Sequence, residues 1–178
     1  MKKLTTAILV LLMGATVAMS VQKPSEWIKY TSPEGRYHVM LPAQPTLGTQ
    51  ESATADGTKL THYRATVAEV NRLYLIGYFH HAPGTTYSFD NARDGMVAVI
   101  KGTLISESVI TLAGYPGREL KISGKGPEGT ELLIRLRLYD IDNRVYILQF
   151  IIPKLEDSST NAENSAKFFD SFQLTRTQ

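Results

Sequence analysis

From residue 27 onward the chain switches between apolar and polar at every second position. WIKYT (27–31) and RYHVML (36–41) begin the pattern; in the second, Tyr37, Val39 and Leu41 alternate with His38 and Met40. A period of two predicts strands with one face turned inward. The SPEG between them predicts a turn, with Pro33 setting φ and Gly35 supplying a positive φ. Pro42 and Pro45 stop the second strand. Residues 46–58 are polar and turn-rich, which predicts an exposed loop. KLTHYRATV (59–67) and RLYLIGYF (72–79) predict two further strands joined by a turn within Ala68–Asn71.

The period changes after HAPGTT (81–86). Ser88 is placed to cap a helix over Phe89–Lys101, because Phe89, Ala92, Met96 and Val99 recur on one helical face. Gly102 fits the position just past its end. Strand periodicity then returns in ISESVITLAG (105–114), YPGRELKIS (115–123) and TELLIRLRLYD (130–140). In the last, Leu132, Ile134, Leu136 and Leu138 face one way, with Arg135 and Arg137 on the outer face. NRVYILQFII (143–152) is apolar on both faces, as a central strand covered on two sides would be. Thr160 and Glu163 match a capping box, followed by Ala162, Ala166 and Phe169 on one side of a short helix. The fold class predicted is α+β: an antiparallel sheet of about six to eight strands with helices packed on its faces.

Gly124, Gly126 and Gly129 in GKGPEG match G-x-G-x-x-G. A dinucleotide loop needs a helix behind it, whose N-terminus holds the phosphate. Here a strand pattern follows, so a hairpin is the better account. Setting Leu120 opposite Ile134 and Ile122 opposite Leu132 puts both apolar sets on one face. That register leaves residues 125–129 as the loop and sets Glu119 across from Arg135.

The first twenty residues change the picture of where the protein works. Lys2 and Lys3 precede an apolar run over Ala7–Met13, and Ala18-Met19-Ser20 offers small residues for cleavage. This reads as a secretory signal peptide (1–20), leaving 21–178 as one domain with no stable membrane span and a periplasmic or secreted location. Those two lysines belong to a total of 19 Lys+Arg, so beyond them 17 basic residues meet 17 acidic ones. A nucleic-acid partner calls for a basic excess that this segment lacks. With no cysteine at all, thiol chemistry, disulfides and cysteine metal sites are excluded.

Few residues suggest chemistry. His80 and His81 are the metal candidates, yet neighbours on a strand point to opposite faces. His62, placed beside Ile76 by a turn near 68–71, stays about four residues from His80. Asp140–Arg144 begins like a calcium loop, but Arg144 and Val145 stand where that loop needs an oxygen ligand and a glycine. A tight turn with Asn143 in the left-handed region fits better. Asp90, Asp94, Glu107, Glu119 and Glu131 form no evident acid–base pair, and G-x-S-x-G is absent. No cofactor site is expected. Arg135 and Arg137, two apart on one strand face, could grip an anion or a partner, or serve as salt-bridged surface residues.

WIKYTSPEGRYHVMLPAQP, GYPGRELKI, RLRLYDIDNRVYILQF and FFDSFQL together resemble small exported bacterial proteins of the PsbP-like fold. The likeness runs across nearly all of 21–178. It implies an α/β/α sandwich, and it implies an accessory or binding role, since members of this fold with understood roles act that way. It carries no catalytic motif. The function expected is that of an exported, non-enzymatic domain binding a protein partner in the cell envelope, with an exposed aromatic patch near Tyr78–Tyr87. A small-ligand or metal-binding protein and a hydrolase with a dispersed triad are the alternatives.

Overall fold

The computed structural model describes residues 26–53, 57–126 and 129–175, with the backbone of Lys3–Leu4. The signal-peptide reading of 1–20 otherwise falls outside the described residues. The strands are β1 (Lys3–Leu4), β2 (Ile28–Ser32), β3 (Tyr37–Leu41), β4 (Thr46–Ala53), β5 (Lys59–Glu69), β6 (Arg72–His80) and β7 (Thr86–Tyr87). After helix α1 (Phe89–Val99) come β8 (Thr103–Leu112), β9 (Tyr115–Lys125), β10 (Glu131–Ile141) and β11 (Arg144–Pro153). Helix α2 (Ser159–Asp170) and β12 (Gln173–Leu174) close the chain.

Seven strands form one antiparallel sheet in the order β4-β5-β6-β11-β10-β9-β8. The apolar β11 takes the centre, with Val145 through Ile152 all buried. A second sheet, β12-β3-β2, lies with α2 over one face. Tyr37, Val39 and Leu41 pack there against Tyr74, Leu148, Phe150, Phe168 and Phe172. Helix α1 covers the other face, where Ala92, Met96 and Ile100 meet Leu120, Ile122, Leu136 and Leu138. Each fully buried side chain of this size contributes about 1.5–3 kcal/mol, so the two cores can hold the fold without disulfides.

The architecture matches the predicted α+β class, while several details differ. Residues 46–53 are an edge strand, not a loop. Their polarity reflects light burial on either face, which backbone pairing with β5 does not require. The β9–β10 hairpin is shifted by two residues: Leu120 faces Leu136, Ile122 faces Ile134, and Glu119 faces Arg137 rather than Arg135. A shift of two keeps each apolar set on its face, so hydrophobic alternation could not choose between the registers. Gly126 N–H donates to the Thr130 carbonyl at 2.8 Å to close that loop, and a strand follows.

Helix ends differ too. Ser88 caps α1 as expected, accepting from Asn91 N–H. The helix stops at Val99, which is exposed, and Ile100 is buried in its place. Lys101 takes the left-handed position (φ 46°), one residue before Gly102. In α2, Ser158 rather than Thr160 is the cap. Its buried side carries Asn161, Ser165, Phe168 and Phe169, not Ala162 and Ala166. The two polar members are satisfied: Asn161 Nδ2 donates to the Glu156 carbonyl (2.7 Å) and Ser165 Oγ to that of Ala162 (2.9 Å).

Candidate functional site

A groove opens where the small sheet fails to cover the large one. Seven strands about 4.8 Å apart span roughly 29 Å, whereas three span roughly 10 Å. The β4–β5 flank is left open. Tyr30, Ser32 and Glu34 wall the groove on one side, Leu47, Gly48 and Thr49 on the other. Tyr37, Tyr63, Tyr78 and His80 contribute to the floor and ends, enclosing about 580 Å³. This lies within the 300–1,000 Å³ typical of binding sites.

Local sequence explains the lining. Strand alternation and the registers Thr49–Tyr63–Tyr78 bring these side chains to one face on three adjacent strands. Tyr63 and Tyr78 stack at 5.0 Å between ring centroids, 15° from parallel. The Arg144 guanidinium lies 4.9 Å from the centre of the Tyr78 ring. Leu47 is 64% exposed and Tyr63 41% exposed, so the groove ends in apolar surface open to solvent. The β2–β3 turn is held by Tyr146 Oη and Arg144 Nη1, which both donate to the Gly35 carbonyl, at 2.7 and 2.8 Å. Gly35 does not take the positive φ expected of it; Arg36 does (φ 54°). Glycine is needed at 35 for space, since an added Cβ would lie 2.5 Å from the Tyr37 ring and 2.6 Å from Ser32 Oγ.

Burial sets the protonation of the lining. It pushes the phenols of Tyr30, Tyr37 and Tyr78 above their ordinary range, with Arg144 partly offsetting the effect at Tyr78. They stay neutral and carry O–H donors. His80 is held below its usual value by burial, then by Arg144, Arg36 and His81. The Nε of Arg144 donates to His80 Nε2 at 3.0 Å, which requires the neutral ring at that nitrogen.

The other predicted residues lie elsewhere. His81 points away from His80 and is buried, its Nε2 donating to Asp140 Oδ1 at 2.9 Å. Its Nδ1 meets Thr85 Oγ1 at 2.9 Å, and that hydroxyl donates to the Ala82 carbonyl at 2.6 Å. This Thr–His–Asp chain was invisible locally because its members come from two segments far apart in sequence. The His81 side chain is only 2% exposed, so the chain acts as a clasp between the 81–87 segment and β10. Tyr87, expected at an exposed patch, is buried beside it. His62 sits beside Phe79, not Ile76 (ring centroids 4.7 Å apart), and bonds Ser52 Oγ at 2.7 Å. Among the described residues, no three His, Cys, Asp or Glu converge to hold a metal ion.

Arg135 and Arg137 are not on an open outer face; α2 lies over them. Arg135 donates to Asp157 (2.6 Å) and Ser165 Oγ (3.0 Å), and Arg137 to Glu119 (2.5 Å) and Asp170 (2.8 Å). They line a cleft of about 370 Å³ with Glu107, Lys121 and Phe169, where acids answer the bases. Among the described residues, no helix is long and apolar enough to cross a membrane.

No protein family description matches the chain, and no curated protein sequence does. Solved structures do. The solution structure of cyanobacterial PsbP (CyanoP) from Synechocystis sp. PCC 6803 aligns with a TM-score of 0.58 at 10% identity, over 89% of this chain and 97% of that one. A Pseudomonas aeruginosa protein of unknown function aligns at 0.47 and 12% identity, over 86% of this chain and 100% of that one. A Bacteroides thetaiotaomicron VPI-5482 protein aligns at 0.49 and 15%, over 86% of this chain and 50% of that one. The CyanoP likeness shows that the chain has the PsbP-like fold.

Proposed function

We propose that this protein is an exported, non-enzymatic binding domain that takes a segment of a protein partner in the cell envelope into the tyrosine groove. One observation carries the reading: a groove of about 580 Å³ floored by stacked Tyr63 and Tyr78 and edged by exposed Leu47. Tyrosine and arginine are enriched at protein interfaces, where a ring supplies large contact area for little lost freedom. Exposed apolar surface gathered in a concave site is the usual mark of a docking surface. The amino-terminal leader read from the sequence supplies the location, periplasmic or extracellular. The dispersed-triad alternative finds its best candidate in Thr85–His81–Asp140. That imidazole is sealed from solvent, and the Thr85 proton goes to the Ala82 carbonyl and not to the imidazole, so His81 is not set to act as the base for that hydroxyl.

The test is site-specific photo-cross-linking in the native host. A photoreactive residue replaces Leu47 in the full chain, and a second variant carries it at Leu155, a fully exposed position outside the groove. The expected result is one discrete, identifiable protein adduct from position 47 and none from 155. Adding Tyr63→Ala should abolish it. Equal adducts from both positions, or none from 47, would sink the proposal.

A further inference from the structure

The groove is walled by the free edge of a strand, and that edge limits what can fill it. Among the described residues, β2 of the small sheet pairs only with β3, through Ile28–Leu41, Tyr30–Val39 and Ser32–Tyr37 among its opposed residues. Antiparallel pairs alternate between exchanging hydrogen bonds with each other and turning them outward. The alternation here is set by β3. Met40 N–H turns away from β2 and donates to Ser171 Oγ at 2.8 Å, and His38 faces Gln173 of β12. The opposed residues of β2, Lys29 and Thr31, therefore direct their own N–H and C=O groups to its outer edge. No strand pairs there among the described residues. Tyr30 and Ser32 of the same strand line the groove.

We infer that the groove binds its partner by strand addition: an extended segment of the partner pairs with the outer edge of β2 at Lys29 and Thr31 and lays its side chains against the exposed ring of Tyr63, which the buried Tyr78 backs. The inference rests on the binding role proposed above and names how the site works. Backbone donors and acceptors that recur at every second residue are matched by another extended backbone, which a sugar or a small planar ligand does not provide. Alternate residues of that segment point to the floor, 6.6–6.8 Å apart by strand rise, about the reach of successive aromatic contacts. The floor calls for tyrosine, phenylalanine or branched aliphatic residues at those places. Charge adds a third requirement. Glu34, at the β2–β3 turn, has no ion-pair partner among the described residues. A lysine or arginine of the incoming segment at that end would answer it.

The test selects from a displayed library of random nine-residue peptides on protein purified from cells making the full chain. The selected peptides are then synthesised with free and with N-methylated backbones. The expected winners alternate aromatic or branched residues with polar ones and carry a basic residue at one end. Bound peptide should slow amide exchange at Lys29 and Thr31 at least about tenfold. N-methylation on the pairing side should weaken binding by at least about tenfold, with the protein unchanged. Thr31→Pro should weaken it similarly, because proline removes an outward N–H yet is tolerated on an edge strand. If Tyr63→Ala abolishes binding while Thr31→Pro and N-methylation leave it intact, the groove stands and strand addition is overturned. If no peptide depends on Tyr63, both readings fall. Concentration-dependent protection of Lys29 and Thr31 in the protein alone would replace the partner with a second copy and overturn the assignment.

Discussion

Two histidines are held neutral by different surroundings, and both make stability depend on pH. His62 is depressed by burial against Phe79, which the nearby Glu51 only partly offsets. His80 is depressed first by burial and then by Arg144 and Arg36. In the unfolded chain each titrates near 6.5. Below that pH the unfolded state takes up protons that the folded state refuses, so stability falls as pH falls. The contribution is fully present above about 6.5 and declines until the depressed folded values are reached. The urea midpoint should therefore drop between pH 7 and pH 5.5, and His62→Gln/His80→Gln should flatten that slope. A slope unchanged in the double variant would show that other groups carry it. That His80 and His81 point apart was legible, since adjacent strand residues must. The place of His62 was not: the strand runs on through Ala68 and Glu69, the turn is Val70–Asn71, and the pairing moves accordingly. Only the length of the strand beyond its apolar pattern decides this.

Elements were legible by period and illegible at their ends. The helix α1 shows why. Its apolar spacing fits Val99 or Ile100 equally well at the last turn, and the choice depends on how the chain leaves. It leaves through paired bonds, Lys101 N–H to the Ala98 carbonyl (3.1 Å) and Gly102 N–H to that of Val97 (2.8 Å). This end motif places a left-handed residue at 101, where glycine is usual and lysine is strained. Gly102 is held instead by space, because an added Cβ would collide with the Ser123 carbonyl oxygen. Lys101→Gly should thus raise stability by about 1 kcal/mol, read as a higher urea midpoint at unchanged slope. Gly102→Ala should lower it. An unchanged midpoint in Lys101→Gly would mean the lysine gains elsewhere what its backbone loses. The buried stripe of α2 departs from the sequence pattern for a related reason. Asn161 and Ser165 look like surface residues until their carbonyl partners are in place, and those partners lie on the Lys154–Glu156 turn and one turn back in the helix itself.

At the scale of the molecule, both the groove and the place of Arg135 and Arg137 follow from layering that no local pattern contains. Alternation on β10 put the two arginines together on one face. It could not say that α2 would descend onto them, because that depends on where the chain goes after Pro153. Once there, Arg137 joins β9 to α2 through Glu119 and Asp170, and its guanidinium lies 5.2 Å from the centre of the Phe169 ring. Hydrogen bonds to charged groups contribute about 1.5–3 kcal/mol. Partial exposure of these acids screens the pair, so Arg137→Ala should cost about 1–2 kcal/mol. The loss should register first as faster amide exchange in α2. The groove is walled by β2 and β4 on the opposite flank and shares none of these contacts. Photo-cross-linking from Leu47 should accordingly persist in Arg137→Ala at temperatures where the variant stays folded. Loss of the adduct in a folded Arg137→Ala would place the partner on the α2 cleft as well. The binding surface would then extend across both flanks of the covering layer instead of ending at the tyrosines.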